Sequence, residues 1–239
     1  MTENAFEAIP GSGNLLLLCD HASNALPPGG LGLDPALLST HIAYDIGAAT
    51  VTRTLAAAWG APAILGVWSR LLIDLNRGAD DPTLVMKLSD GSAIPGNRDA
   101  GPDEVARRIA AYHAPYHAAI RHALDGMGGR AVILSLHSFT PSWKSVPRKW
   151  DVGVLYDEDA RFAAPLMHRL AEAGFTVGDN EPYTGALEGD TLNQHGTKRG
   201  LPHVLLEIRQ DLIGDPVQAQ DFALRLKPIL DAALADMSK

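Results

Sequence analysis

Three short stretches, Leu15–Cys19, Ala131–Leu136 and Val204–Ile208, are apolar at almost every position. A strand with one wet face alternates apolar and polar residues, whereas a strand apolar on both faces must be covered on both. Such runs belong to sheets whose crossover connections lay helices over the two faces. The chain carries segments suited to those crossovers. Asp34-Pro35 predicts a helix start, with Asp at the cap and Pro in the first turn, running to about Trp59 and ending at Gly60. Pro102–Gly126 has helical periodicity with Pro115 as an internal fault. A helix is expected from about Glu158 to Ala173, ended by Gly174, and a last one over Pro216–Met237.

Further strands are expected near Ala63–Trp68, at Val152–Tyr156 and, briefly, at Phe175–Val177. The apolar stretch Leu71–Leu75 also reads as a strand. Residues 78–102 and 179–200 are polar and glycine-bearing, and read as long loops, a length often tied to function. Strands interleaved with helices imply an α/β fold with a largely parallel or mixed central sheet sandwiched by helices. A length of 239 residues, with no internal repeat and no linker, suits one domain over 1–239.

Charge narrows the partners. The formal net charge is −8, the wrong sign for nucleic acid, whose phosphates need a basic surface. An anionic substrate would need positive charge gathered locally. The first residues, MTENAFEAIPGSGN, lack the basic start of a signal peptide, and no apolar run approaches the roughly 20 residues of a membrane helix. The single cysteine, Cys19, excludes an internal disulfide. A cytoplasmic protein with no membrane partner is the expectation.

Ligands of open parallel sheets bind at the carboxyl ends of the strands. Four such ends carry unusual polarity here: Asp20-His21, Asn76-Arg77 after LLIDL, His137-Ser138, and Glu207 with Arg209 in VLLEIRQ. Two histidines and a carboxylate from separate elements make an open zinc site, in which a metal lowers the pKa of bound water to about 7 and polarises a carbonyl. Asp45 and Glu207 are the carboxylates on offer, one as ligand and one as general base, and the pattern does not choose between them.

Other residues have plainer readings to set beside functional ones. Arg70 and Arg77 could be surface arginines; as bidentate carboxylate partners they are candidates for substrate binding, with Arg70 alternatively stabilising an oxyanion. His113 and His117 stand four apart, but no glutamate follows His113, so the zinc-protease motif fails and partly buried helix histidines are the simpler reading. His195, in LNQHGTKRG, could close over substrate. Cys19 inside LLLLCD reads as core rather than as a nucleophile.

The stretches CDHASN, HIAYDIGA, SRLLIDLNR, AYHAPYH, SLHSF, NEPYTG and GLPHVLLEIRQDLI span nearly the whole chain. In these it resembles the N-formylglutamate amidohydrolases, a family distantly similar to zinc carboxypeptidases and aspartoacylases. The resemblance implies a zinc-carboxypeptidase-like (phosphorylase/hydrolase-like) fold and one Zn2+ per chain. It implies hydrolysis of an N-formyl or small N-acyl group from an acidic amino acid such as N-formylglutamate. DLNR is similar to the aspartoacylase motif whose Asn and Arg hold the substrate carboxylate, which assigns Asn76 and Arg77 to substrate. The aspartoacylase pattern also has a glutamate ligand three residues after its first histidine, and Asn24 stands there instead. The expected set is therefore His21, Asp45 and His137 for the metal, Glu207 and Arg70 for catalysis, and Asn76, Arg77, Arg209 and His195 for substrate. The alternatives are another N-acyl amino acid or short peptide as substrate, and a metal- or ligand-binding module without catalysis.

Overall fold

The computed structural model describes residues 4–237. Its centre is one mixed sheet of seven strands. In chain order these are β1 (Phe6–Ile9), β2 (Leu15–Cys19), β3 (Ala63–Gly66), β4 (Val132–Phe139), β5 (Val152–Leu155), β6 (Val177–Asp179) and β7 (His203–Arg209). Their order across the sheet is β1-β3-β2-β4-β7-β5-β6. The core pairings β3–β2, β2–β4 and β4–β7 are parallel, as is β5–β6, while β1–β3 and β7–β5 are antiparallel.

The doubly apolar strands do what their composition requires. In β2, Leu15, Leu17 and Cys19 pack into one core layer and Leu16 and Leu18 into the other. The first layer is covered by α1 (Ala48–Trp59), α4 (Ala163–Glu172) and α6 (Pro216–Met237), and the second by α3 (Ala114–Met127) and the long loops. A shorter helix, α2 (Pro102–Arg108), precedes α3, and α5 (Thr191–His195) lies within the second long loop. No helix among the described residues is long and apolar enough to cross a membrane.

Several local expectations are corrected. The helix expected from Asp34 to Trp59 is two pieces: a 3-10 turn at Pro35–Ser39, capped by the Asp34 carboxylate, and α1 starting only at Ala48. Gly47 breaks the run at φ +82°, a conformation glycine adopts without strain. Leu71–Leu75 is buried but is no strand; it runs as turns, with Asp74 aimed at other side chains. The fault near Pro115 is a π turn over Ile109–His113, because proline has no N–H for the ladder four residues back. The helix placed from Glu158 begins at Ala163, the strand placed at Phe175–Val177 lies at Val177–Asp179, and β1 was not anticipated.

Candidate active site at the carboxyl edge of the sheet

Side chains alternate along a strand. In β4, Ile133, Ser135 and His137 therefore share one face, and in β7 so do His203, Leu205 and Glu207. Glu207 pairs in register with His137, which brings both side chains to the same edge. Asp20 and His21 follow directly from β2. The Asp45 segment is tied to this edge by the backbone: Asp45 N donates to the His21 carbonyl at 3.0 Å, and Ser138 Oγ donates to the Ile46 carbonyl at 2.8 Å. Asp45 is thus a turn residue poised before α1 rather than a residue inside the helix expected from Asp34 to Trp59.

His21, Asp45 and His137 converge, all buried, with one potential ligand atom from each lying within 4.8 Å of the others. The hydrogen bonds around them are specific. His21 Nε2 donates to Asp74 Oδ1 at 2.7 Å, and His137 Nε2 donates to Asp20 Oδ2 at 3.0 Å. With those protons placed on Nε2, both Nδ1 atoms face the same Asp45 oxygen, at 3.3 and 2.8 Å. Lone pair then meets lone pair unless something positive lies between them.

The charges agree with that geometry. Asp20, Asp45 and Asp74 are buried together, and among the described residues the Arg70 guanidinium is the one permanent cation bonded into the cluster, through Asp74 at 2.7 Å and Asp45 at 3.6 Å. Three carboxylates against one guanidinium leave two negative charges, the complement of one divalent cation. In the metal-free protein, burial alone would depress the histidines and raise the aspartates. The mutual hydrogen bonds and charges reverse this, raising His21, raising His137 well above the usual imidazole range, and holding all three aspartates below the usual carboxylate range. The donor set, with each imidazole oriented by a carboxylate on its far nitrogen, fits a zinc-type ion.

A cavity of about 370 Å³ opens beside this cluster, lined among others by His21, Asp45, Arg70, Arg77, His137 and Glu207. Burial pushes the Glu207 carboxyl up to about 7, the neighbouring Asp45 charge adding to it and His137 opposing. Glu207 Oε2 is buried with no hydrogen-bond partner. An unsatisfied carboxylate oxygen facing a cavity is costly, and it marks where a ligand proton would be received. Asn76 lines the same cavity, its Oδ1 accepting from Thr191 N at 3.1 Å.

Two placements differ from expectation. Arg209 does not line the cavity; it turns to Asp211, Asp151 and the Trp150 carbonyl. His195 is buried behind the site, where its Nε2 donates to His117 Nδ1 at 2.9 Å, so it is not a closing loop residue. Asn24 donates to the Leu38 carbonyl and lies outside the cluster, leaving Asp45 as the carboxylate at that point. His113 and His117 have a supporting position: their Nε2 atoms donate to the carbonyls of Arg77 and Leu75, holding the backbone that presents Asn76 and Arg77. Cys19 is fully buried in the core layer beneath α1.

Sequence reasoning passed over Asp20 and Asp74 as orienting groups. Each had a signal, an acidic residue at the end of or inside an apolar run, where an unpaired carboxylate would be expensive. Tyr116 and Thr191, whose hydroxyls donate to Asp20 Oδ1 at 2.9 and 2.7 Å, carried no such signal.

Fold and site together define an α/β protein in which His21, Asp45 and His137 are placed as a metal ion would require, at the carboxyl edge of a mixed sheet. The sequence pattern of the N-formylglutamate amidohydrolases matches residues 13–214, and the chain belongs to that family. It is similar to a gene product of Agrobacterium tumefaciens, with 33% identity, a TM-score of 0.93, and coverage of 100% of this chain and 98% of the other. It is also similar to an N-formylglutamate amidohydrolase from Ralstonia eutropha JMP134, with 22% identity, a TM-score of 0.71, and coverage of 96% and 98%. No curated protein sequence matches the chain.

Proposed function

We propose that the protein is a zinc-dependent hydrolase that removes an N-formyl or other small N-acyl group from an amino acid. The observation that carries this reading is the pair of imidazole Nδ1 atoms converging on Asp45 Oδ2, each ring fixed by a carboxylate behind it, in a cavity shared with Glu207 and Arg77. His21, Asp45 and His137 would hold one zinc ion per chain, which when bound supplies Lewis-acid polarisation of the acyl carbonyl and a lowered pKa of water.

The chain's own groups do the rest. Glu207, with a carboxyl near pH 7, takes a proton from the attacking water and passes it to the leaving nitrogen. Arg70 is held in place by Asp74 and lines the cavity, where its charge stabilises the negative oxygen that develops at the carbonyl. Arg77, with Asn76 beside it, clasps the substrate carboxylate. Its backbone is pinned by His113, so the guanidinium sets the distance between carboxylate and acyl carbon. A binding module without catalysis would have no use for a buried, unpartnered carboxylate oxygen at this point.

The test is elemental analysis combined with hydrolysis of N-formyl and N-acetyl amino acids. Zinc near one per chain and chelator-sensitive activity are expected. Glu207→Gln should keep the metal and lower kcat by about 10²–10⁴-fold, the usual contribution of a positioned acid–base group. Loss of metal in that variant would make Glu207 a ligand and reverse its assignment with Asp45. Full activity in chelator would end the metal-dependent reading.

A further inference from the structure

Among the described residues, three buried side-chain atoms have no hydrogen-bond partner: Glu207 Oε2, His195 Nδ1 and His41 Nε2. His195 lies behind the site, whereas Glu207 and His41 both line the cavity. A buried polar atom left unpaired is costly, and in a cavity wall it marks where a ligand atom belongs. The proposed reaction uses Glu207 and leaves His41 without a part.

The backbone fixes His41 at the cavity. It sits in the turn between Pro35–Ser39 and α1, on the segment that ends in Asp45. Ala43 N closes that turn on the Thr40 carbonyl at 3.1 Å. The Ala43 carbonyl in turn accepts from Ser69 Oγ at 2.8 Å and from Arg70 N at 3.2 Å. Asp90, on the hairpin that pairs Leu88-Ser89 with Ser92-Ala93, brings Oδ2 to 3.2 Å from His41 Nε2, outside hydrogen-bonding geometry. A lone pair at Nε2 would face that negative oxygen, so the favoured tautomer carries its proton there. His41 therefore offers an N–H that no group of the chain receives.

Arg148 adds positive charge to the opposite account of the cavity, without lining it. Its Nη1 donates to the Thr140 carbonyl and hydroxyl at 3.3 and 3.1 Å, and its guanidinium lies 5.0 Å from the centre of the Tyr183 ring. No carboxylate among the described residues pairs with it. Thr140 and Tyr183 line the cavity, so an uncompensated cation is held behind that wall and favours an anion in front of it. The acceptors of an N-acyl amino acid can then be matched to the chain. The acyl oxygen belongs to Arg70 and the metal centre, and the α-carboxylate to Arg77 and Asn76. Any further acceptor is on the side chain.

We propose that His41 reads the substrate side chain, its Nε2–H donating to a side-chain carboxylate, so that the preferred substrate is the N-acyl derivative of an acidic amino acid. The proposal rests on the proposed reaction and assigns the specificity of that same site. The fixed charge of Arg148 favours a carboxylate over a carboxamide of the same shape.

The experiment measures kcat and KM of the zinc-loaded protein on N-formylglutamate, N-formylglutamine and N-formyl-norleucine. The wild type should prefer glutamate to both others. His41→Phe keeps a ring in the turn and removes the donor. It should lower the glutamate-to-norleucine ratio of kcat/KM by about 10-fold or more, as for a lost charge-assisted hydrogen bond. The loss should fall on KM, because the contact is remote from the reacting bond. His41→Gln, which returns an N–H donor, should recover part of the ratio, and Arg148→Gln should lower it less than His41→Phe does. Equal losses on all three substrates in His41→Phe would make His41 structural and overturn the proposal. A wild type that prefers norleucine, or that turns over glutamine as well as glutamate, would overturn it too. A larger fall in Arg148→Gln than in His41→Phe would place the carboxylate on Arg148 instead. Each of these results leaves the reaction standing. No turnover of any of the three by the zinc-loaded wild type would overturn the reaction and the proposal together.

Discussion

Replacing Asp20 by asparagine tests whether the buried carboxylates orient the metal ligands. Asp20 is 1% exposed and accepts four hydrogen bonds. Tyr116 and Thr191 bond Oδ1 at 2.9 and 2.7 Å, and His137 and Ser135 bond Oδ2 at 3.0 and 3.3 Å. An amide cannot accept at both ends. With its nitrogen toward His137, it forces the imidazole proton onto Nδ1, the atom facing Asp45, and blocks a ligand position. With its oxygen toward His137, the tautomer survives, but a charge-assisted bond becomes a neutral one and the Tyr116 hydroxyl loses its acceptor. Loss of such an orienting partner weakens metal binding about 10–100-fold, which is about 1.4–2.7 kcal/mol. The assay is zinc competition against a chromogenic chelator at neutral pH, with thermal unfolding of the metal-free protein to confirm the fold. Asp74→Asn should weaken zinc at least as much, because Asp74 orients His21 and also anchors Arg70. A folded Asp20→Asn protein with unchanged zinc affinity would refute the argument that these carboxylates set the tautomers.

Arg77→Lys keeps the charge but loses the planar fork, so kcat/KM for an N-acyl amino acid should fall by about 10-fold or more, corresponding to a charge-assisted bond of about 1.5–3 kcal/mol. The matching N-acyl amide without a carboxylate should be little affected; equal losses on both would give Arg77 a structural or oxyanion role. Burial pushes His117 down to about 3, with His113 and His195 adding repulsion, and burial with Arg121 pushes His195 down to about 4. Both titrate near 6.5 in an unfolded chain, so below about pH 6.5 the unfolded state binds protons that the fold refuses. The contribution of these two histidines should therefore be fully present above about pH 6.5 and be lost toward pH 4, so the urea midpoint should fall more steeply over that range in the native sequence than in His195→Gln, which keeps the donor and removes one ring; parallel pH slopes would contradict this. Gly47→Ala places a Cβ against the Ile213 carbonyl at φ +82°, and should cost upwards of about 1 kcal/mol, lowering Tm by at least about 2 °C. An unchanged Tm would mean that the turn before α1 relaxes freely.

The strands β2, β4 and β7 were legible because their two-faced apolarity admits only a covered sheet. Their polar ends announced His21, His137 and Glu207 for the same reason: a buried strand that stops in histidine or glutamate must place it at the sheet edge. Asp45 was nominated through the family resemblance, and its actual setting, a turn ended by Gly47, depended on the close approach of Ile213, a residue far away in the chain. The β1 strand is four residues long with an exposed position, too short for periodicity to speak.

LLIDL shows the limit most directly. Its apolar residues are buried as their composition requires, yet they form turns, because Asp74 must reach His21 and Arg70 and a strand would not deliver it there. Arg209 and His195 have the residue types of a substrate site, and only the packing of β7 against Asp151, and of α5 against α3, sent them elsewhere. The chain's own pattern thus determined the layered sheet and the identity of its polar ends, since burial and alternation are local, periodic properties. The tertiary structure alone decided which carboxylate faces which imidazole nitrogen and which cations remain free in the cavity, because those depend on contacts between residues as far apart as Asp20 and Thr191.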